Sequence, residues 1–380
     1  MNLIGNLGLW GTGLTGWIVP FLFVLSIVVF FHELGHFLVA RWCGVRILTF
    51  SIGFGPEIVG FHDRYGTRWK ISAIPLGGYV KFFGDENAAS VPDQAAIAAM
   101  TPEERRVSFV HKSVFQRAAI VAAGPIANFI LAVLIFAGLF MIYGKQILQA
   151  RVETVEAGSA AAAAGIQAGD LVVAIDGHRI ESFGDMQRIV ATSAGQRLHI
   201  TVDRAGATTE ITATPDLREV KDRFGNVHRI GVLGIKRSAP VDDVRTERYP
   251  PLKALAMGAE ETWAVIDRTM SYLAGVVVGR ESADQLGGPI RIAQVSGQVA
   301  SLGLDALINL AAVLSVSIGL LNLFPIPLLD GGHLLFYAIE AVRGRPLSDR
   351  AQELGFRAGL AIVLMLMTYA TFNDIVRLFS

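Results

Sequence analysis

The chain has 380 residues, 52% of them hydrophobic and only 17% charged, against a charged share of about a quarter in soluble domains, which argues against an ordinary soluble enzyme. Lys+Arg and Asp+Glu number 33 each, so the net charge is zero and no single-sign field exists to hold nucleic acid. The one cysteine, Cys43, rules out an internal disulfide framework and a Cys-x-x-Cys zinc knuckle, which leaves His, Asp and Glu to hold any metal.

Residues 1–46 form the first segment. Positions 1–31 carry no Asp, Glu, Lys or Arg, and the run 17–40 is interrupted only by His32, Glu33 and His36, so it is long and apolar enough to span a bilayer. It lacks the positive start and small-residue cleavage site of a signal peptide and is expected to stay in the mature protein. Within it lies His32-Glu33-Leu34-Gly35-His36, a pattern that chance supplies roughly 0.01 times per chain of this composition. On a helix the two imidazoles fall one turn apart on one face, which suits two ligands of a tetrahedral zinc, with Glu33 beside them as the base for water. The plainer alternative is a pair of hydrogen-bonded histidines in a helix bundle, but three ionisable groups within five residues of an apolar span are costly unless they act. Cys43 lies about 10.5 Å further along such a helix, too far to share the ion.

Residues 47–114 form the second segment. From 47 to 83 the pattern has period two, in the runs Glu57-Ile-Val-Gly-Phe, Thr67-Arg-Trp-Lys-Ile-Ser-Ala-Ile and Gly78-Tyr-Val-Lys-Phe-Phe, which predicts a small antiparallel meander. Residues 85–113 read as a polar, partly mobile loop. Segment 115–143 follows, uncharged over 118–143, and is the second span.

Residues 144–236 predict an α+β domain: a strand at 151–155, a short Ala-rich helix at 159–164, a strand at 171–175, a helix near 185–194, and strands at 199–204 and 208–214. This order, with the run Ala164-Gly-Ile-x-x-Gly-Asp-x-Val-x-x-Ile-Asp-Gly177, resembles the circularly permuted PDZ domains of bacterial proteases, which bind an extended chain at a sheet edge. Segment 216–250 is too short for a second copy. In region 237–302, residues 252–278 predict a helix broken as a span by Glu260, Glu261, Asp267 and Arg268. Its apolar face, Trp263, Ile266, Met270, Leu273 and Val277, is expected either at the membrane surface or against the PDZ-like domain.

The last segment, 303–380, holds an uncharged third span at 306–329 and a fourth at about 356–376. At the end of the third stands Asn322-Leu-Phe-Pro-Ile-Pro-Leu-Leu-Asp330-Gly-Gly-His333, whose prolines and glycines break a helix at membrane depth, tolerable only where the backbone lines a wet or protein-filled cavity. Asp330 is the favoured third metal ligand, His333 its rival and Glu340 a distant third. No Lys or Arg occurs in 1–16, whereas Arg41, Arg46, Arg105, Arg106, Lys112 and Arg117 flank the first connection and Arg343, Arg345, Arg350 and Arg357 the last. The positive-inside rule then puts both connections in the cytoplasm and the N-terminus, the 144–300 segment and the C-terminus outside, which in a Gram-negative cell is the periplasm.

The expected fold class is therefore a polytopic α-helical membrane protein of about four transmembrane helices, with a small cytoplasmic β-meander and an inserted α+β PDZ-like periplasmic domain. The first-span His-Glu-x-x-His, the later Asn-x-x-Pro-x-Pro-x-Leu-Asp-Gly and the domain between them together resemble the site-2 protease family of intramembrane zinc metalloproteases. The Gly77-Gly78-Tyr79-Val80-Lys81 turn and the run Gly124-Pro-Ile-Ala-Asn128 resemble it as well, so the likeness covers nearly the whole chain; the better-known enterobacterial members carry two tandem PDZ domains, and this chain has room for one. The resemblance implies Zn2+ on His32, His36 and Asp330, Glu33 as catalytic base, and substrate contacts from Asn322, Gly78, Tyr79 and Asn128. It implies cleavage of transmembrane substrates in regulated intramembrane proteolysis, namely a single-span anti-sigma factor after a first periplasmic cut and signal-peptide remnants, in the bacterial inner membrane among its lipids and without nucleic acid. Two other classes stay open at this point: a non-catalytic membrane scaffold presenting a PDZ-like module, which would bind no metal, and a metal transporter, which would take up metal into vesicles.

Overall fold

The computed structural model describes residues 14–85, 99–180, 182–221, 227–236, 244–279 and 287–379. The N-terminal residues, the part of the polar loop at 86–98 and the segment 237–243 lie outside them. Two compact units are present, one from 1–139 together with 251–380 and one from Phe140 to Pro250.

In the first unit, helix α1 (Leu14–Trp42) is apolar along its whole length apart from the His-Glu-x-x-His group and ends in Arg41. It leads into two long strands, β1 (Ile47–His62) and β2 (Arg68–Phe82), which are antiparallel but strongly bent. Residues 47–52 pair with 78–82, while 49–52 pair also with 68–71, and 57–62 pair with 68–72. The two strands thus curl into four adjacent strand segments joined by three ladders. A glycine with positive φ at position 53 stands at the bend, where any side chain would meet the Ser72 and Ile74 carbonyls. The meander predicted from period two is in this way a single folded-over hairpin, and its outer segment, 78–82, pairs only with 47–52 among the described residues apart from a bridge from Phe82 to Asp85. The hairpin tip is held by Asp63, which accepts hydrogen bonds from Arg41 and the Tyr65 and Thr67 amides. Burial alone would raise the Asp63 carboxyl, but these donors carry it down to about 2.

Helix α2 (Pro102–Val107) opens on a capping box between Thr101 and Glu104, and backbone bonds from Arg46 to Val107 and from Phe109 to Phe83 anchor it to the hairpin. Helix α3 (Val114–Ile142) follows. After the second unit come α6 (Pro251–Val277), α7 (Pro289–Ala300), α8 (Leu304–Asn322), α9 (Asp330–Arg343) and α10 (Asp349–Phe379). Among the described residues four helices are long and apolar enough to cross a membrane: Thr15–Trp42, Val114–Ile142, Leu304–Asn322 and Asp349–Val376. The third ends at Asn322, seven residues short of the expected limit at 329, because Pro325 and Pro327 cannot continue the helical hydrogen bonding. The fourth begins a turn and more earlier than its apolar part, since the charged stretch from Asp349 is already helical.

Helix α6 packs by a face that the apolar periodicity did not mark. Ala254, Gly258, Thr262 and Val265 are the buried positions, whereas Trp263 is 68% and Val277 86% exposed. Gly258 lies against α3 so closely that a Cβ would stand 2.6 Å from the Val133 carbonyl oxygen and 3.1 Å from the Ala137 nitrogen. Small residues permit such backbone approach between helices in an apolar medium, so α6 docks on the helical bundle by its small stripe and turns its large apolar residues outward.

The second unit begins with β3 (Lys145–Leu148) and β4 (Thr154–Val155), then α4 (Ala160–Ala163), β5 (Leu171–Ile175), β6 (His178–Arg179), α5 (Phe183–Thr192), β7 (Leu198–Arg204), β8 (Ala207–Ala213), β9 (Asp216–Lys221), β10 (Val227–Val232), β11 (Ile235–Lys236) and β12 (Val244–Glu247). An antiparallel sheet of order β6-β5-β7-β8 is its centre. Val172, Ile175, Ile200 and Val202 from this sheet pack with Met186 and Val190 of α5 in one apolar core. The strands beyond 215 belong to the same unit, since β11 pairs with β4 and β12 with β3. Asp170, completely buried, receives Nε and Nη2 of Arg204 at 2.7 and 2.8 Å and the Gln167 amide at 2.9 Å. The Arg204 guanidinium holds its carboxyl below the ordinary value, so the Gly-Asp of the sequence run is a structural clasp.

The close approach at Gly258 yields a contrast between two substitutions in α6. Gly258→Leu is expected to destabilise the detergent-solubilised protein by about 1–3 kcal/mol, whereas Trp263→Ala should stay within about 0.5 kcal/mol; thermal unfolding of the two variants beside the parent measures both.

Candidate metal centre

The site grows from the packing of α1 on α3. Gly35, between the two histidines, faces α3, where any side chain would run into the Ala123 carbonyl. With the backbones this close, the His36 ring reaches across and its Nδ1–H donates to the Ile120 carbonyl oxygen at 2.8 Å. A carbonyl oxygen only accepts, so Nδ1 carries the proton and the lone pair of Nε2 points inward. That Nε2 lies 3.2 Å from Nε2 of His32.

The acid arrives from the other end of the chain. After Asn322 the backbone folds back through Pro325 and Pro327, Leu328 adopts φ +113°, and α9 starts at Asp330. A non-glycine residue held there costs on the order of 1–3 kcal/mol and persists only where its surroundings enforce it. The enforcement is visible: Gly331 and Gly332 are pressed against the carbonyls of the returning loop, and Gly359 of α10 sits on the Pro327 carbonyl, each with no space for a side chain. Farther along α9, Glu340 is ion-paired with Arg117 of α3 at 2.6 Å, which fixes the helix and occupies Glu340.

Asp330 thereby brings Oδ2 to 3.2 Å from His32 Nε2 and 3.6 Å from His36 Nε2. The ligand atoms of His32, His36 and Asp330 all lie within 4.8 Å of one another. Two cis nitrogens at 2.0–2.1 Å from a tetrahedral zinc would be about 3.3 Å apart, close to the spacing observed. Asp330 Oδ2 is buried and has no hydrogen-bond partner among the described residues, an expensive state for a carboxylate oxygen unless a cation completes it. Gly124 supplies the space: a Cβ there would collide with His36 Nε2 and stand 2.9 Å from His32 Cε1. Donor chemistry, spacing and room all fit zinc.

His32, Glu33, His36 and Asp330 open on a cavity of roughly 590 Å³, and Asn322, Gly78 and Tyr79 line its wall. Asn322 Nδ2 is 3.5 Å from His32 Nε2. Gly78 is packed so that a Cβ would be 2.9 Å from Glu33 Cγ, which brings the outer segment 78–82 directly beside the acid. His333 also faces the cavity, but its ring packs on Phe356 with centroids 5.4 Å apart, and it is not one of the clustered ligands. Asn128 departs from its expected place at the substrate. It is 0% exposed, does not line the cavity, and meets His32 Nδ1 at 3.2 Å. The sequence reading missed Gly35 and the acid Asp85, which lines the same cavity and whose carboxyl is pushed by burial up to about 6. Nothing in their local pattern distinguishes them; the tight spacing of α1 and α3 singles out Gly35, and the turn after β2 brings Asp85 to the cavity.

Comparison with known proteins agrees with this geometry. The family model described as peptidase family M50 matches residues 20–366. A protein of Agrobacterium fabrum named "Putative zinc metalloprotease Atu1380" is 56% identical over 362 residues, covering 95% of this chain and 96% of its own. One of the same description from Rhizobium meliloti is 52% identical over 363 residues, covering 96% and 97%, and "Metalloprotease MmpA" of Caulobacter vibrioides is 45% identical over 382 residues, covering 95% of each.

Gly124 offers the sharpest check on the space at the ligands. Gly124→Ala is expected to abolish zinc binding, because even a methyl group overlaps the His36 Nε2 position, while α3 remains helical; metal analysis of the purified variant together with its circular dichroism reads both.

Proposed function

Since the chain belongs to peptidase family M50, the site-2 protease family of membrane zinc metalloproteases, we propose that it hydrolyses peptide bonds inside membrane-spanning segments of other proteins. The observation that carries this reading is the outer segment 78–82 standing beside Glu33 and the His32, His36 and Asp330 cluster in one cavity. A transmembrane substrate is helical, with its carbonyls already bonded, and must open locally to be cut. The exposed backbone of Gly78 and Tyr79 offers the unwound stretch a strand to pair with, and the Asn322 amide, at the end of α8, holds it toward the ligands. Zinc, when bound by His32, His36 and Asp330, supplies Lewis-acid activation of water and of the scissile carbonyl. Glu33 takes the proton from the water at a carboxylate oxygen and passes it to the leaving amide nitrogen.

The same reading gives the protein its setting. Lys and Arg flank the connections after α1 and before α10, which supports an orientation in the bacterial inner membrane with both termini and the 140–250 unit in the periplasm. Its substrates are then single-span anti-sigma factors after a first periplasmic cut and signal-peptide remnants, as in regulated intramembrane proteolysis, with membrane lipids around the site. The strand and helix order of the 140–250 unit supports a PDZ-like role in choosing among them, as a size filter against uncut periplasmic domains.

Glu33→Gln tests the chemistry. Cleavage of a membrane-spanning substrate in detergent or proteoliposomes should fall by about 10²–10⁴-fold with zinc content near the parent's, whereas His36→Ala should lose both. Loss of zinc in Glu33→Gln would mean that this acid is a ligand and would overturn the assignment.

A second experiment addresses selection. In the pairing of β3 with β12, Leu148 stands opposite Val244, so residues 150–242 can be replaced by a short Gly/Ser linker. The shortened enzyme should keep its zinc and cut trimmed substrates, and should begin to cut substrates with intact periplasmic domains. Slower cutting of trimmed substrates with no gain on intact ones would instead mark the unit as a reader of the new terminus, and unchanged rates on both would remove it from selection.

A further inference from the structure

Asn128 is a polar side chain sealed inside a helical bundle, 0% exposed, and has no access to the cavity where substrate would lie. Its position is fixed from two sides. Ser315 of α8 donates its hydroxyl to the Asn128 backbone oxygen at 2.8 Å. Gly319, one turn on, lies so close that a Cβ there would be 3.1 Å from Asn128 Cβ. The helix that leads to Asn322 and Asp330 thus also clamps residue 128, and residue 128 touches the ring of His32.

The chemistry of that contact decides its purpose. A metal bound at Nε2 leaves Nδ1 as the protonated nitrogen of a neutral imidazole, and that N–H needs an acceptor. His36 has one in the Ile120 carbonyl. Beside His32 Nδ1 stands the Asn128 amide, at 3.2 Å, with its Oδ1 buried and lacking a hydrogen-bond partner among the described residues. An amide turned over by 180° occupies the same volume and puts that oxygen on the Nδ1–H. We propose that Asn128 is the positioning residue of the metal ligand His32, its side-chain oxygen accepting the Nδ1–H and thereby holding Nε2 toward the metal.

The proposal rests on the reading of His32 as a zinc ligand, and the zinc content of the parent enzyme tests that reading separately. A parent that binds no zinc ends both, while the variants below bear on Asn128 alone. Zinc affinity is measured by chelator competition on the full-length, detergent-solubilised protein, with thermal unfolding of the metal-free form as the control for folding. Asn128→Leu keeps the volume and removes the acceptor, and should bind zinc about 10–100-fold more weakly with metal-free unfolding little changed. Asn128→Asp keeps an acceptor in the same place but has no N–H to donate, and should restore zinc binding to the parent's level or tighter. Affinity unchanged in Asn128→Leu, or weakened as much in Asn128→Asp as in Asn128→Leu, would overturn the proposal. Should Asn128→Leu fail to fold, Asn128→Asp decides by the same criterion, and failure of both to fold would assign the residue to packing and overturn it as well.

Discussion

Three polar atoms must meet at one point among apolar helices, and most of what surrounds them follows from that demand. His32 and His36 come from one helix, Asp330 from a loop-helix junction almost three hundred positions later, and their ligand atoms lie within 4.8 Å of one another. Hydrocarbon offers no solvent to absorb a misplaced charge, so the backbone has to bring the ligands in itself. It does so by removing side chains at the crossing points. Gly35 and Gly124 let α1 and α3 approach, Gly319 lets α8 lie on Asn128, and Gly331, Gly332 and Gly359 let the Pro325–Pro327 turn fold against two helices. The glycines here act as spacers of zero length around the metal centre. The energetic return is the completion of buried nitrogen and oxygen atoms that would otherwise stand unpaired.

Legibility in the sequence followed the range of the interaction. The histidine pair and Glu33 were readable because helical periodicity alone places them together. Asp330 was readable because prolines and glycines at membrane depth need a reason, and the structure brings it, rather than His333 or Glu340, to the two Nε2 atoms. Between 159 and 214 the expected strands and helices emerged within about two residues of their limits, since alternating and helical patterns are local, whereas the strand expected at 151–155 is reduced to Thr154–Val155 and β6 was not foreseen. Asn128 was misplaced for the opposite reason. Its partner is 96 positions away, and whether an amide faces a cavity or a histidine depends on the rotation of α3, which no short pattern encodes. Helix α6 shows the same limit: its large apolar residues marked one face, expected at the membrane surface or against the PDZ-like domain, but the small stripe Ala254, Gly258 and Thr262 that docks on α3 carries no such signal.

The hairpin of β1 and β2 shows a second way in which the local pattern underdetermines the fold. Its period of two is plain, yet the doubling of pairing partners at 49–52 comes from the bend at Gly53 and from the second ladder being laid against the first. Only that doubling turns 78–82 into an outer segment and sets Gly78 against Glu33. A flat meander with the same side chains would have left the acid without a strand beside it.

The placement of Asp330 and Gly359 near the end of the chain also sets a clock on biosynthesis. A nascent chain that has inserted only α1 and α3 owns both imidazoles and Glu33 but lacks the Asp330 carboxylate, and when α8 emerges the turn before Asp330 still lacks the helix on which Pro327 rests. The centre closes once α10 has left the ribosome and entered the bilayer. The three candidate metal ligands therefore stay apart in every shorter nascent chain and meet only when α10 is in place.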